Sequence, residues 1–131
     1  MAAFQITSLY AGLCALLIAW LTIRIVGMRK SMKVSLSDDG DGGVLHAAVR
    51  AHGNAVETIP LCLILIGLIE ANGAPGWVVH FLGVSLVLGR LLHASHFMAP
   101  DPGIRRRVAG MILTVNVMVM GGLGLVLHAL I

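Results

Sequence analysis

The residues best suited to chemistry lie in an apolar stretch near the middle of the chain. Within residues 44–69, Arg50, Asn54 and Glu57 stand at positions i, i+4 and i+7, and His46 extends the series by one turn. Residues with this spacing share one face of a helix. A cation, an amide and an acid are costly to expose to lipid, so this face must meet protein or a water-filled cavity.

A second apolar stretch carries a similar stripe. Arg90, His93 and Phe97 stand at i, i+3 and i+7 within residues 77–97. If both stretches are helices that meet the same side of a membrane, Arg50 lies ~9 Å and Arg90 ~10 Å from that side. We therefore expect the two arginines at matching depth, where they could together hold an anionic ligand.

Two interpretations of these polar residues remain open from the sequence. They could serve only to hold the helices together, with Asn54 forming a hydrogen bond between two helices. Arg50 and Glu57 would then need partners on other helices, because they are ~10 Å apart along their own helix axis. Alternatively they form a ligand site, since ionisable residues inside a membrane are functional by default.

The elements that must position these residues are membrane-spanning helices. Of the 131 residues, 58% are hydrophobic and 11% are charged, whereas a soluble domain carries roughly 25% charged residues. Nine cations against six acids are too few for a nucleic-acid-binding protein. Four apolar stretches, at about 4–24, 44–69, 77–97 and 108–131, reach the roughly 20 residues that cross a bilayer. We predict one domain, residues 1–131, folded as an all-α bundle of four transmembrane helices.

The distribution of cations predicts the orientation of this bundle. Seven of the nine lysines and arginines flank the first and third connections, whereas the second connection and both termini carry none. The positive-inside rule places the first and third connections in the cytoplasm and both termini outside. The first span has its cations after it, the reverse of a signal peptide, so we interpret it as a retained helix.

The two cysteines give no sign of a metal centre or a redox pair. Cys14 and Cys62 each lie inside an apolar stretch, where a thiol behaves as a small buried hydrophobe. No Cys or His spacing typical of a metal site occurs in the sequence. We therefore expect no metal cofactor.

Two segments of the chain resemble motifs of a known membrane family. The second span contains RAHGNAVETIP (residues 50–60), which resembles the second-helix signature of the MAPEG superfamily, the membrane-associated proteins in eicosanoid and glutathione metabolism. The third span contains GRLLHA (residues 89–94), which resembles the third-helix motif of its bacterial members. The resemblance covers essentially the whole chain. It implies a homotrimer in a bacterial inner membrane that binds glutathione between subunits, near the cytosolic side.

The resemblance also implies roles for individual residues. Positions that contact or adjoin glutathione in family members are occupied here by Arg29, Arg50, Asn54, Glu57, Arg90 and His93. The arginine that stabilises the thiolate at the start of the fourth helix matches Arg105, with Arg106 next to it. Two tyrosines common in the family are replaced here by Thr58 and Phe97, so thiol activation would depend on arginine alone.

These side chains suit glutathione, a peptide with two carboxylates, an ammonium group and a thiol. Arginine holds carboxylates in bidentate geometry, Glu57 could bind the ammonium group, and a nearby guanidinium lowers the pKa of a thiol. The predicted function is a glutathione-dependent transferase or peroxidase acting on lipophilic substrates from the bilayer. The alternatives are a small proton-coupled transporter using Glu57 and a non-catalytic membrane scaffold.

Overall fold

The computed structural model describes residues 4–36, 43–97 and 104–131. They form four α-helices, α1 (Gln5–Met32), α2 (Val44–Ala71), α3 (Gly76–His96) and α4 (Ile104–Leu130). Each helix is long and apolar enough to cross a membrane, which confirms the predicted all-α bundle of four membrane-spanning helices. The first and third connections lie largely outside the described residues.

Two helices extend past the apolar spans that predicted them. α1 continues beyond Arg24 and ends at Met32, and α4 begins at Ile104 rather than near Val108. The reason is that hydropathy marks where a helix leaves lipid, whereas arginine and lysine are good helix formers that prolong it into water. The cations that flank the first and third connections therefore lie largely on helix ends.

The helices alternate in direction, and α2 and α3 occupy the centre of the bundle. Each of these two contacts all the other helices, whereas α1 and α4 do not touch within the described residues. We call the end at which α1 finishes and α4 begins the basic end, after its lysines and arginines. The end formed by the short link between α2 and α3 is called the opposite end.

The bundle is apolar both inside and outside. Cys62, Ile66 and Leu86 are fully buried in its core, and Cys14 and Cys62 are both buried free thiols. Large apolar side chains also cover the outer surface, where Leu16 is 69% and Ile23 70% exposed. An exposed apolar surface of this extent suits a bundle surrounded by lipid.

The first turn of α1 is capped by a carboxylate from another helix. The backbone N–H groups of Ile6 and Thr7 donate to the two side-chain oxygens of Glu70, at 2.9 and 2.7 Å. The first N–H groups of a helix lack acceptors within the helix, and the residue that precedes α1, Phe4, supplies no side-chain cap. Glu70 therefore satisfies two donors that lipid could not.

A second contact fixes α1 at the same end of the bundle. The Tyr10 hydroxyl lies 2.8 Å from Nδ1 of His80 on α3. The Tyr10 ring packs directly against Gly83, where any side chain would collide with it. Glu70 and His80 thus attach α1 to α2 and α3 at the opposite end.

We expect Glu70→Ala to destabilise the bundle by about 1.5–3 kcal/mol, because two charge-assisted hydrogen bonds are lost together. Glu70→Gln should lose less, since its amide oxygen can still accept one of them. The measurements are thermal unfolding in detergent and amide hydrogen exchange of residues 5–9. Unchanged exchange at these residues in Glu70→Ala would show that the cap does not hold α1.

Candidate functional site

A buried arginine lies where three helices meet. Arg90 of α3 is 1% exposed, and its Nη1 donates to the side-chain oxygens of Asn54 and, at 3.3 Å, of Thr58 on α2. Its Nη2 donates to the backbone carbonyl of Gly110 on α4, also at 3.3 Å. The Nε group is buried without a partner in the described residues. One guanidinium thus joins α2, α3 and α4.

Two glycines bring the backbones of α3 and α4 close enough for this contact. A Cβ on Gly89 would lie 2.9 Å from the Gly110 carbonyl oxygen and 2.9 Å from Oγ1 of Thr114. Thr114 is fully buried and donates to the same carbonyl, at 2.9 Å. The Gly110 carbonyl therefore accepts from both Arg90 and Thr114, which is possible because no side chain separates the two helices here.

The polar stripe of α2 divides between two environments. Asn54 is half-buried and faces Arg90, whereas Arg50 and Glu57 are exposed on the outside of the bundle. Arg50 and Glu57 have no hydrogen-bond or ion-pair partner among the described residues. That Arg50 and Arg90 hold one anion together stays a prediction. Within one chain, Arg50 is exposed, whereas Arg90 is buried and bonded to Asn54.

The physical reason is the rotation of α2 about its axis. Four residues advance a helix by about 40° more than one full turn. Once Asn54 turns towards Arg90, that offset leaves Arg50 on the outward side. The side-chain oxygen of Asn54 accepts from Arg90, and its amide nitrogen can still donate to a ligand.

Aromatic and cationic side chains gather at the basic end of α3. His93 is 4% exposed, and its ring lies 5.2 Å from the Phe97 ring, centre to centre. His96 packs edge-on against Phe97 from the other side, at 4.8 Å. The Arg107 guanidinium lies 5.8 Å from the centre of the same ring, a distance that allows a cation–π interaction.

The three arginines at the start of α4 differ in what they contact. We expected the arginine next to the site to be Arg105 or Arg106, and all three are exposed at the start of α4. Only Arg107 is placed against the side chains of α3. The sequence alone does not single out Arg107, because the face of α4 that meets α3, which carries the buried Gly110 three residues further on, is known only from the structure.

The remaining predicted residue, Arg29, lies in the last turn of α1. Its Nη1 donates to the backbone carbonyl of Ser35 at 3.1 Å, so it fixes the chain that leaves α1. His52, which is not in the predicted site, pairs with Thr22 of α1 through its Nε2, at 3.0 Å. That contact joins α1 and α2 on the side away from Asn54.

The site therefore offers charged side chains at two positions in the basic half of the bundle. Arg50 and Glu57 offer a cation and an anion along the outside of α2, and Arg107 offers a cation at the start of α4. Among the described residues, no group of three His, Cys, Asp or Glu side chains is arranged to hold a metal ion. The arrangement suits a ligand that bears both positive and negative charges.

Comparison with known proteins agrees with this architecture. The sequence matches the MAPEG family over residues 7–126. It is 43% identical over 95 residues to inner membrane protein YecN of Escherichia coli strain K12, covering 71% of this chain and 70% of YecN. YecN of Escherichia coli O6:H1 gives the same values. The chain is therefore a four-helix membrane protein that belongs to the MAPEG family.

Proposed function

We propose that the chain binds glutathione at the basic end, between neighbouring copies in a homotrimer. Bound glutathione would react through its sulfur with lipophilic electrophiles, or reduce lipophilic peroxides, that reach it from the bilayer. Family membership supports this proposal. The observation that carries it is the outward position of Arg50 and Glu57 on α2.

Both charges need partners that the described residues of one chain do not provide. Arg50 lies ~9 Å along the helix from the start of α2, and Glu57 lies about two turns further. A lone charge that faces lipid at such depth is expensive. A second copy would cover the stripe, and glutathione would offer a carboxylate to Arg50 and an ammonium group to Glu57. The amide nitrogen of Asn54 can donate to a peptide carbonyl between them.

The residues at the start of α4 would activate the glutathione thiol. Arg105, Arg106 and Arg107 place three cations there, and the helix N-terminus adds a favourable dipole for an anion. Both effects stabilise the thiolate over the thiol. Arg107 is the nearest of the three to the buried core of the site, because it lies over Phe97.

The proposal includes the cellular setting. The relatives named YecN are inner membrane proteins, and we place this chain in a bacterial inner membrane as well. Its basic end faces the cytoplasm and both termini face outwards, according to the positive-inside rule. Cytosolic glutathione would then reach the site directly.

A second candidate function is a membrane scaffold without catalysis, and the bonds of Arg90 favour it. Arg90 is buried and donates to groups on α2 and α4, which is what a residue that fixes helix register would do. This role of Arg90 is compatible with ligand binding by Arg50. The two functions therefore differ in whether Arg50 binds glutathione, and a test of that binding distinguishes them.

We expect glutathione to raise the apparent melting temperature of the parent protein in detergent, because a ligand that binds only the folded state stabilises it. In Arg50→Ala this shift should be lost, since an arginine–carboxylate bond is worth about 1.5–3 kcal/mol, or roughly 10- to 100-fold in affinity. Arg24→Ala, which removes another exposed cation from the same half of the bundle, is the control and should keep the shift. Equal shifts in Arg50→Ala and the parent would favour the scaffold.

Arg90→Ala should lower the melting temperature even without glutathione. The substitution removes the bonds to α2 and α4 and leaves a cavity, a combined cost of about 3 kcal/mol or more. Arg50→Ala, in the same measurement without ligand, should melt like the parent. If instead Arg90→Ala melted normally and lost only the glutathione shift, Arg90 would be a ligand contact and not a structural residue.

The parent protein should accelerate the reaction of glutathione with a reactive aryl halide, in which the thiolate attacks the ring carbon and halide leaves. Arg107→Ala should reduce the rate at neutral pH by about 10- to 100-fold and recover part of it at higher pH, because less thiolate forms without the nearby cation. Arg105→Ala and Arg106→Ala, tested beside it, identify which arginine acts, and Lys30→Ala controls for charge. A parent rate equal to the uncatalysed rate would remove the enzymatic part of the proposal.

A further inference from the structure

A large apolar cavity lies at the opposite end of the bundle, away from the site described above. It has a volume of about 660 Å³ and is bounded by the last turn of α2, the first turns of α3 and the last turns of α4. Its walls are formed mainly by Ile69, Phe81, Leu82, Met120 and Leu125. A volume of this size is typical of small-molecule sites, which range from about 300 to 1,000 Å³.

The cavity arises where the close contact of α3 and α4 ends. The two backbones meet at Gly89 and Gly110 in the basic half, whereas residues of both helices line an open space at the opposite end. Gly124 of α4 forms part of that lining, and a Cβ built on it would meet no atom within 4 Å. The cavity therefore has room for a larger side chain at position 124.

Polar groups are confined to one part of this lining. They are the amide of Asn72, the indole of Trp77 and the imidazole of His128. The Asn72 amide nitrogen already donates to the Leu68 carbonyl, at 2.9 Å, so its oxygen remains as an acceptor. Trp77 supplies a donor and His128 either kind of group. A hydroxyl or carbonyl head group would find both donors and acceptors here.

The charge around the cavity selects against an anionic ligand. Among the described residues, no Lys, Arg, Asp or Glu lines it, and the sequence has no Lys or Arg between Arg50 and Arg90 or after Arg107. The nearest acid in the chain is Glu70, which adjoins the lining residue Ile69 and keeps both its oxygens on the α1 backbone. An anionic head group would therefore find a carboxylate nearby and no cation.

We propose that this cavity binds an uncharged single-chain lipid. The hydrocarbon chain lies between α3 and α4 against Phe81, Leu82 and Leu125, and the neutral oxygen-bearing head contacts Asn72, Trp77 and His128. The site does not depend on the proposed glutathione chemistry, because the two lie at opposite ends of the bundle. Each can therefore fail without affecting the other.

The test uses the full chain in vesicles of phosphatidylethanolamine and phosphatidylglycerol. The probe is a monoacylglycerol with a photoreactive diazirine on its acyl chain, and labelled residues are identified by peptide mapping. Three proteins are compared: the parent, Gly124→Phe, which fills the cavity, and Gly122→Phe. Gly122 is the matched control, because a Cβ there also meets open space but the residue does not line the cavity.

We expect the label to concentrate on residues 77–82 and 120–128 of the parent and of Gly122→Phe. Gly124→Phe should reduce this labelling about tenfold, because its ring would occupy space that the acyl chain needs. Unlabelled monoolein should compete, and oleate, which has the same chain with an anionic head, should compete much less. Should Gly124→Phe fail to fold, Gly124→Leu fills part of the same space and takes its place.

Three results would overturn the proposal. The first is labelling spread evenly over the outer face, including α1, as expected for unspecific contact with bilayer lipid. The second is equal labelling of the parent and the variants at Gly124. The third is competition by oleate as effective as that by monoolein, which would remove the selection for an uncharged head.

Discussion

The bundle depends on one buried guanidinium. An arginine in a low-dielectric interior must find acceptors for its donors, since an unpaired charged group there is very costly. Arg90 finds them on two other helices, at Asn54 and Thr58 of α2 and at the Gly110 carbonyl of α4. Burial of this one side chain therefore fixes the height and rotation of α2 and α4 relative to α3. Apolar packing alone would specify these less strictly, because lipid competes for the same contacts.

The same constraint accounts for the open side of the candidate site. When α2 rotates so that Asn54 reaches Arg90, the helix geometry carries Arg50 and Glu57 to the outside. The bond that stabilises the chain thus turns two charges of α2 outwards, where they have no partner among the described residues. Such a surface is costly in lipid for an isolated chain, and in the proposed trimer a second copy and glutathione would lower that cost by covering it. The bond between Arg90 and Asn54 thus accounts both for the packing of α2 and for the outward position of Arg50 and Glu57.

The sequence was sufficient to predict the helices and the residues of the polar stripe on α2. It was not sufficient to predict which residues of other helices contact that stripe. Apolar length and the cation pattern predicted four spans, and the spacing of Arg50, Asn54 and Glu57 predicted a shared face. Periodicity tells which residues lie on a face and not which helix lies opposite. Hence the depth argument matched Arg90 with Arg50, whereas the structure pairs it with Asn54, one turn further along α2.

Two other contacts were beyond the reach of sequence patterns for the same reason. Glu70 and the N–H groups it caps are more than 60 residues apart, and neither segment carries a local capping motif that points to the other. Arg107 could not be distinguished from Arg105 and Arg106 by residue type, because the three are identical neighbours. Only the position of α3 selects Arg107, through the ring of Phe97.

The two ends of the bundle follow from a single helix contact. Gly89 and Gly110 let α3 and α4 meet closely in the basic half, and this approach is what exposes the Gly110 carbonyl to Arg90. At the opposite end, residues of the same two helices, among them Phe81 and Met120, line a cavity. Closing that cavity by moving α4 inwards would shift Gly110 relative to Arg90 and weaken the bond that fixes the bundle. The contact that brings Arg90 to Gly110 and the cavity thus belong to the same pair of helices, one at each end.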